Sequence, residues 1–228
     1  MRALQAAGVE VAFATGRAPK MFEHLMEELD IFSYVSCNGA YVVYDGKVVF
    51  ARPLDERQLA ALRRKADAHG DAMVFSDQDT LWTTDVDHPY VCAALESLCF
   101  EAELEKERRA RSRNIYYALL FCAKGKARYL ERFEAFKFIR WHDYALDVLT
   151  LHGSKAVGIA ALLQHLRIGR ERAVAFGDAL NDVEMLRYVG TGIAMGNASE
   201  EAKRAADFVT RDVALDGIRY GLTRIGLL

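Results

Sequence analysis

The sequence predicts an α/β protein whose parallel-sheet core is split by an inserted α+β domain. Strand and helix patterns alternate at both ends of the 228-residue chain, and the middle changes to short strands with sparser helices. The polar turns richest in possible ligands fall at the ends of apolar strands. Alternation sets the class, because parallel neighbours need a crossover connection and that connection is usually a helix.

Met1-Arg-Ala-Leu-Gln-Ala-Ala followed by Gly8 reads as the last two turns of an amphipathic helix, with a glycine past its end and no N-cap before it. So short a helix is marginal alone, so structure upstream or a different start is expected. Val9 to Ala14 is a β-prone run ending at Thr15-Gly16, and Ala18 to Leu29 places Phe22, Leu25, Met26 and Leu29 on one helical face. Ile31 to Val35 is a second short run. Ala40 to Tyr44 and Lys47 to Phe50 flank Asp45-Gly46, a type I′ hairpin signal, and the first core segment closes at residue 52.

From Pro53 a polar amphipathic helix, Leu54 to His69, leads into short strands at Met73 to Phe75 and Thr80 to Thr84. Strand-like Tyr116 to Cys122, helical Ala127 to Phe136, strand-like Phe138 to His142 and a further strand, Ala145 to Leu151, follow. The inserted domain is therefore 53–150. The core resumes over 151–228 with helix Ala156 to Leu166, strand Ala173 to Phe176, helix Asp182 to Tyr188 and strand Thr191 to Met195.

Hydrophobic residues at 52%, charged residues at 27% and only 3 Pro fit a globular chain rather than a disordered one. The 30 Lys and Arg nearly balance the 32 Asp and Glu, so no overall field points to nucleic acid or an anionic membrane, and a small-molecule partner is expected. The longest stretch without charge, Ile31 to Tyr44, is too short to span a bilayer. Gln5 and Glu10 interrupt any secretory apolar run. Cys37, Cys92, Cys99 and Cys122 form no C-x-x-C pair, which predicts reduced, mostly buried thiols in a cytoplasmic protein. The basic cluster Glu105 to Arg113 reads as a solvated segment. The glycines of Gly190-Thr-Gly192-Ile-Ala-Met-Gly196 miss the dinucleotide spacing, and no Ser sits in a G-x-S-x-G elbow.

Three separated segments carry the chemistry: Ala14-Thr15-Gly16-Arg17, His152-Gly153-Ser154-Lys155 and Gly177-Asp178-Ala179-Leu180-Asn181-Asp182. Each follows a strand, where ligands bind in open α/β sheets. Thr15 offers a hydroxyl, and the backbone N–H groups after it, at a predicted helix N-terminus, suit a phosphate oxygen. Lys155 offers a mobile point charge for the same anion. Asp178 and Asp182 supply hard carboxylate oxygens without a nearby His or Cys, which suits Mg²⁺ over zinc, and Asn181 adds a hydrogen-bond donor. Each segment alone is weak, and their order and strand-end placement strengthen the combination.

In that order the segments resemble motifs two, three and four of the haloacid-dehalogenase-like phosphatases, specifically the Cof-type subfamily with a large cap inserted after motif two. The resemblance extends to Ser36-Cys37-Asn38-Gly39-Ala40, the Ala194-Met-Gly-Asn-Ala run, Asp207-Phe-Val-Thr and Asp216-Gly, and so covers nearly the whole chain. It implies a Rossmann-like core and an inserted cap that closes over the site and selects the leaving group. It also implies a Mg²⁺-dependent phosphatase of small phosphorylated metabolites such as sugar phosphates. By that resemblance Thr15, Gly16, Arg17, Asn38 and Asn181 contact the phosphoryl group and Lys155 neutralises it. Asp178 binds Mg²⁺, and Asp182 supports Lys155 or the metal shell. A monomer or weak homodimer is expected.

The family's first motif, a strand ending in D-x-D, supplies a nucleophilic Asp that becomes an aspartyl-phosphate and a second Asp acting as acid and base. This sequence has no Asp before Asp30; Asp77-Gln-Asp79 and Asp85-Val-Asp87 fall in the inserted domain and are read as following no buried strand. The missing strand would be central. Leaving its place open strands buried backbone groups at about 1–3 kcal/mol each, against a domain stability of about 5–15 kcal/mol. The 228 residues are therefore expected to be unstable or part of a longer protein. The competing reading is a non-catalytic phosphate-ligand binding or regulatory protein, or an inactive fragment of the same family.

Overall fold

The computed structural model describes residues 1–97, 104–106 and 114–228. Contacts divide the chain into two units: Met1–Gly16, His24–Phe50 and Ser154–Leu228 form the first, Arg17–Glu23 and Ala51–Gly153 the second. Among the described residues no helix is long and apolar enough to cross a membrane.

The chain opens with helix α1 (Arg2–Ala6), strand β1 (Phe13–Ala14), helix α2 (Glu23–Leu29) and strands β2 (Tyr34–Ser36), β3 (Tyr41–Tyr44) and β4 (Lys47–Ala51). These strands form one sheet in the order β1-β2-β3-β4, with β1 parallel to β2 and β2 antiparallel to β3. Asp45 and Gly46 both take positive φ, 47° and 71°, as a type I′ turn requires. The sequence predicts a longer first strand and a continuous helix from Ala18. Instead only Phe13 and Ala14 ladder, and a 3₁₀ turn at Pro19–Met21 precedes α2. Pro19 fixes that break: it lacks an N–H and holds Ala18 extended, at ψ 153°.

The second unit carries α3 (Glu56–His69), β5 (Ala72–Ser76), β6 (Leu81–Thr83), α4 (Pro89–Glu96), β7 (Glu105–Lys106), β8 (Tyr117–Phe121), β9 (Phe136–His142) and β10 (Ala145–Thr150). Asp55 caps α3 by accepting from the Gln58 N–H at 2.8 Å, and Gly70 ends it in the left-handed region. The six strands order as β7-β6-β5-β8-β10-β9, antiparallel except for β6 beside β7. Alternate residues Met73 and Phe75, Ala118, Leu120 and Cys122, and Leu146 and Val148 face Leu59, Leu62 and Ala66 of α3 in one core. The predicted helix Ala127 to Phe136 is only a 3₁₀ turn, Arg128–Arg132.

One expectation in this unit is overturned. Asp77 follows β5, every residue of which is buried, and is itself buried. Its carboxylate accepts from the backbone N–H of Asp79 and Thr80 and from the Thr80 hydroxyl, so it builds the β5–β6 turn. Cys92 is exposed, whereas Cys37 and Cys122 are buried. Cys99 and residues 107–113 of the basic cluster lie outside the described residues.

The chain then completes the first unit with α5 (Lys155–Leu166), β11 (Val174–Gly177), α6 (Val183–Tyr188), β12 (Thr191–Ala194), α7 (Glu200–Ala205), β13 (Phe208–Val209) and α8 (Gly217–Arg224). Strands β11, β12 and β13 form a parallel sheet in that order. Its core holds Met185, Leu186, Ala194 and Ala202, and a second cluster holds Val35, Val42 and Leu162. Ala14 and Ile159 pack against both clusters, so α5 joins the two sheets of this unit. That junction brings the ends of β1, β2 and β11 near the head of α5.

Candidate active site

Three stretches far apart in sequence meet in the first unit at the head of α5. Lys155 is the first residue of that helix and Asp182 lies in the 3₁₀ turn after β11; Nζ and Oδ1 stand 2.5 Å apart, and both side chains are buried. The second oxygen of Asp182 accepts from the backbone N–H groups of Asp178 and Ala179, each at 2.9 Å. A buried ion pair is tolerated when its remaining lone pairs are satisfied in this way. Asp182 thereby fixes both the ammonium and the backbone of the turn that carries Asp178.

Asn181 Nδ2 donates to Asn38 Oδ1 at 2.9 Å, a bond between residues 143 apart. Asn38 reaches that position because Cys37, Asn38 and Gly39 all take positive φ, 52°, 50° and 89°. Two non-glycine residues in that region mark strain of the kind concentrated at functional sites. Packing holds them there: a Cβ on Gly39 would lie 2.0 Å from the Ser154 carbonyl oxygen. Gly16 is similarly confined, since a Cβ there would lie 3.0–3.2 Å from the side-chain amides of Asn38 and Asn181. Thr15 is tied in by its N–H to the Val35 carbonyl and by its carbonyl to the Asn38 N–H.

Thr15, Gly16, Asn38, Lys155, Asp178, Asn181 and Asp182 therefore share one unit. Arg17 is exposed and groups with the second unit. One element of the prediction fails here. The N–H groups after Thr15 do not open an α-helix, because the 3₁₀ turn at Pro19 intervenes and α2 starts only at Glu23.

Ser154, outside the predicted set of ligands, caps α5 without bonding to it, and its buried hydroxyl has no hydrogen-bond partner among the described residues. An unsatisfied buried hydroxyl costs about 1–3 kcal/mol, so a ligand oxygen would find a donor there. Its place directly before Lys155 was the available signal.

The donor set for a divalent cation reduces to one residue. No group of three His, Cys, Asp or Glu side chains able to hold a metal occurs among the described residues. Both oxygens of Asp182 are committed to Lys155 and to backbone, whereas Asp178 is exposed and its carboxylate makes no bond among the described residues. A single carboxylate with water and phosphate oxygens fits Mg²⁺, which retains several waters and is held by one or two carboxylates plus substrate.

Residues 1–222 match a family model described as haloacid dehalogenase-like hydrolase. The chain is 40% identical over 225 residues to a Bacillus subtilis (strain 168) protein named "Putative phosphatase YkrA", covering 99% of this chain and 88% of that one. It is 29% identical over 201 residues to the HMP-PP phosphatase of Cronobacter sakazakii, covering 84% of this chain and 73% of that protein. A crystal structure from Geobacillus kaustophilus HTA426 superposes with TM-score 0.93 at 45% identity, covering all of this chain and 89% of that one. The HAD subclass IIB sugar phosphatase BT4131 superposes with TM-score 0.83 at 26% identity, covering all of this chain and 90% of its own.

Proposed function

The chain belongs to the haloacid dehalogenase-like hydrolase family, and we propose that it is a phosphoric monoester hydrolase acting on small phosphorylated metabolites, sugar phosphates or similar, with Mg²⁺. The observation that carries this reading is the convergence of Gly16, Asn38, Lys155, Asn181 and Asp182 around one strand-end turn. Similarity to proteins named as phosphatases supports the same class.

Lys155 has three N–H donors and gives one to Asp182, which leaves two for phosphoryl oxygens. Asn181 gives one N–H to Asn38 and keeps its second for the same anion. Ser154 and the Thr15-Gly16 turn would complete the contacts. Asp178 would hold Mg²⁺, which when bound neutralises charge on the phosphoryl oxygens. Positioning and neutralisation of this kind supply most of the catalysis in phosphoryl transfer. In this reading the phosphoryl group passes to the aspartate of the family's first motif, which none of these 228 residues supplies, and then to water, in a cytoplasmic monomer or weak homodimer.

Release of phosphate from para-nitrophenyl phosphate tests the proposal. In a chain that carries the first-motif D-x-D strand, turnover should require added Mg²⁺, stop with chelator, and fall at least 100-fold in Asp178→Ala. Binding of inorganic phosphate without any turnover would replace the hydrolase with a phosphate-ligand binding protein, and activity retained by Asp178→Ala would remove the metal assignment.

A further inference from the structure

The second unit contains a cavity of about 460 Å³ that shares no residue with the site described above. Lys65 and His69, four residues apart on one face of the last turns of α3, form one wall. The 3₁₀ turn Arg128–Arg132 forms the other, with Arg128, Tyr129 and Arg132 facing the space and buried Phe133 behind them. The volume falls within the range of small-molecule sites, roughly 300–1,000 Å³.

Its charge is one-sided. Lys65, Arg128 and Arg132 form no ion pair among the described residues, and the single carboxylate in the lining is Glu131. In a chain of net charge −2 this is a local concentration of positive charge rather than a consequence of composition. Guanidinium groups in particular match the oxygens of carboxylate, sulfonate or phosphate in pairs.

The interior between these cations is aromatic and held in place. Tyr129 donates its hydroxyl to Asp71 at 2.8 Å, and burial pushes the phenol well above its ordinary range, so the ring is a fixed neutral wall. His69 lies against it, with ring centroids 4.5 Å apart. His69 Nδ1 stands 2.7 Å from the Lys65 carbonyl oxygen, which can only accept, so Nδ1 carries the proton and Nε2 is left for a ligand. Flat apolar walls with a cationic rim select a flat ring bearing an anionic group.

We propose that this cavity binds a small aromatic anion, its ring against Tyr129 and His69 and its charged group between Arg128, Arg132 and Lys65. The probe is 1-naphthalenesulfonate, titrated calorimetrically into the full chain, with the neutral 1-naphthalenemethanol as comparison. Saturable binding with one site is expected, at least tenfold tighter than for the neutral compound. The double variant Arg128→Glu/Arg132→Glu should weaken it at least tenfold, and so, independently, should Lys65→Glu. All three positions are exposed, so folding is expected to survive and is checked by circular dichroism. Asp178→Ala should bind the probe unchanged, because the cavity shares no residue with the site of the first unit. The proposal is overturned if the probe does not saturate, if the neutral compound binds equally, or if both sets of charge reversals leave affinity intact.

Discussion

Both oxygens of Asp182 are occupied, one by the Lys155 ammonium and one by two backbone N–H groups, while Asp178 four residues earlier keeps its carboxylate in solvent. Spacing alone makes the two aspartates equivalent, and their surroundings give them different work. Removing Asp182 strands a buried cation and two N–H donors together. We expect Asp182→Ala to lose about 3–5 kcal/mol in chemical denaturation, the usual cost of breaking a buried pair. Lys155→Met should lose less, because the carboxylate keeps its backbone donors, yet should weaken phosphate binding as much. Equal losses of stability would mean that the backbone bonds of Asp182 contribute nothing.

Asp71 gives a second residue-scale prediction. Burial raises its pKa above the ordinary 3.8, outweighing the Tyr129 hydrogen bond and the nearby His69, His88 and Lys126. A raised acid favours its protonated form in the folded state, so its contribution to stability is fully present below 3.8 and is lost as pH rises through the higher folded value. Asp71→Asn keeps an acceptor for Tyr129 and cannot titrate. Its stability relative to the parent should therefore increase across that window, measured by denaturation at successive pH values, and a flat difference would contradict the assignment.

At the scale of elements, α5 matters most because it crosses both sheets of its unit and delivers Lys155. Its close approach to the left-handed turn at Gly39 depends on Gly158: a Cβ there would lie 2.4 Å from Val35 Cγ1 and 2.8 Å from the Gly39 Cα. Gly to Ala in a helix ordinarily gains about 1 kcal/mol. Here the clash with backbone should reverse the sign, and Gly158→Ala should be destabilised by about 1–3 kcal/mol, as overpacking generally is. Phosphate affinity should fall with it if the turn that holds Asn38 is displaced. A stabilised variant with unchanged affinity would show that the approach is slack.

Across the whole molecule, the site exists only where segments more than a hundred residues apart converge. Asn38 and Asn181 give that convergence a measurable form. A double-mutant cycle with Asn38→Ala and Asn181→Ala should show a coupling of about 0.5–1.5 kcal/mol in stability, the range for a hydrogen bond between neighbours. Strict additivity would mean the two amides do not interact.

Local pattern was enough for the α/β class, the inserted α+β unit, the Asp45-Gly46 hairpin and the strand-end position of Thr15 and Asp178, because these rest on periodicity, turn chemistry and short motifs. Lys155 instead opens α5, and the strand before it, β10, belongs to the antiparallel sheet of the second unit. Local pattern also marked the segments that meet at the site, though not their contacts. Tertiary structure decided the rest. The Ala18 to Leu29 pattern broke at Pro19, where backbone sterics outweigh an apolar stripe. The helical pattern at Ala127 to Phe136 shortened to a 3₁₀ turn. The hold of Asp182 on the backbone N–H groups of Asp178 and Ala179, the left-handed run at Cys37 to Gly39 and the orphan hydroxyl of Ser154 were invisible in sequence. Each depends on groups brought close by the chain's path through space, and burial, charge pairing and steric exclusion act on that distance rather than on separation along the chain.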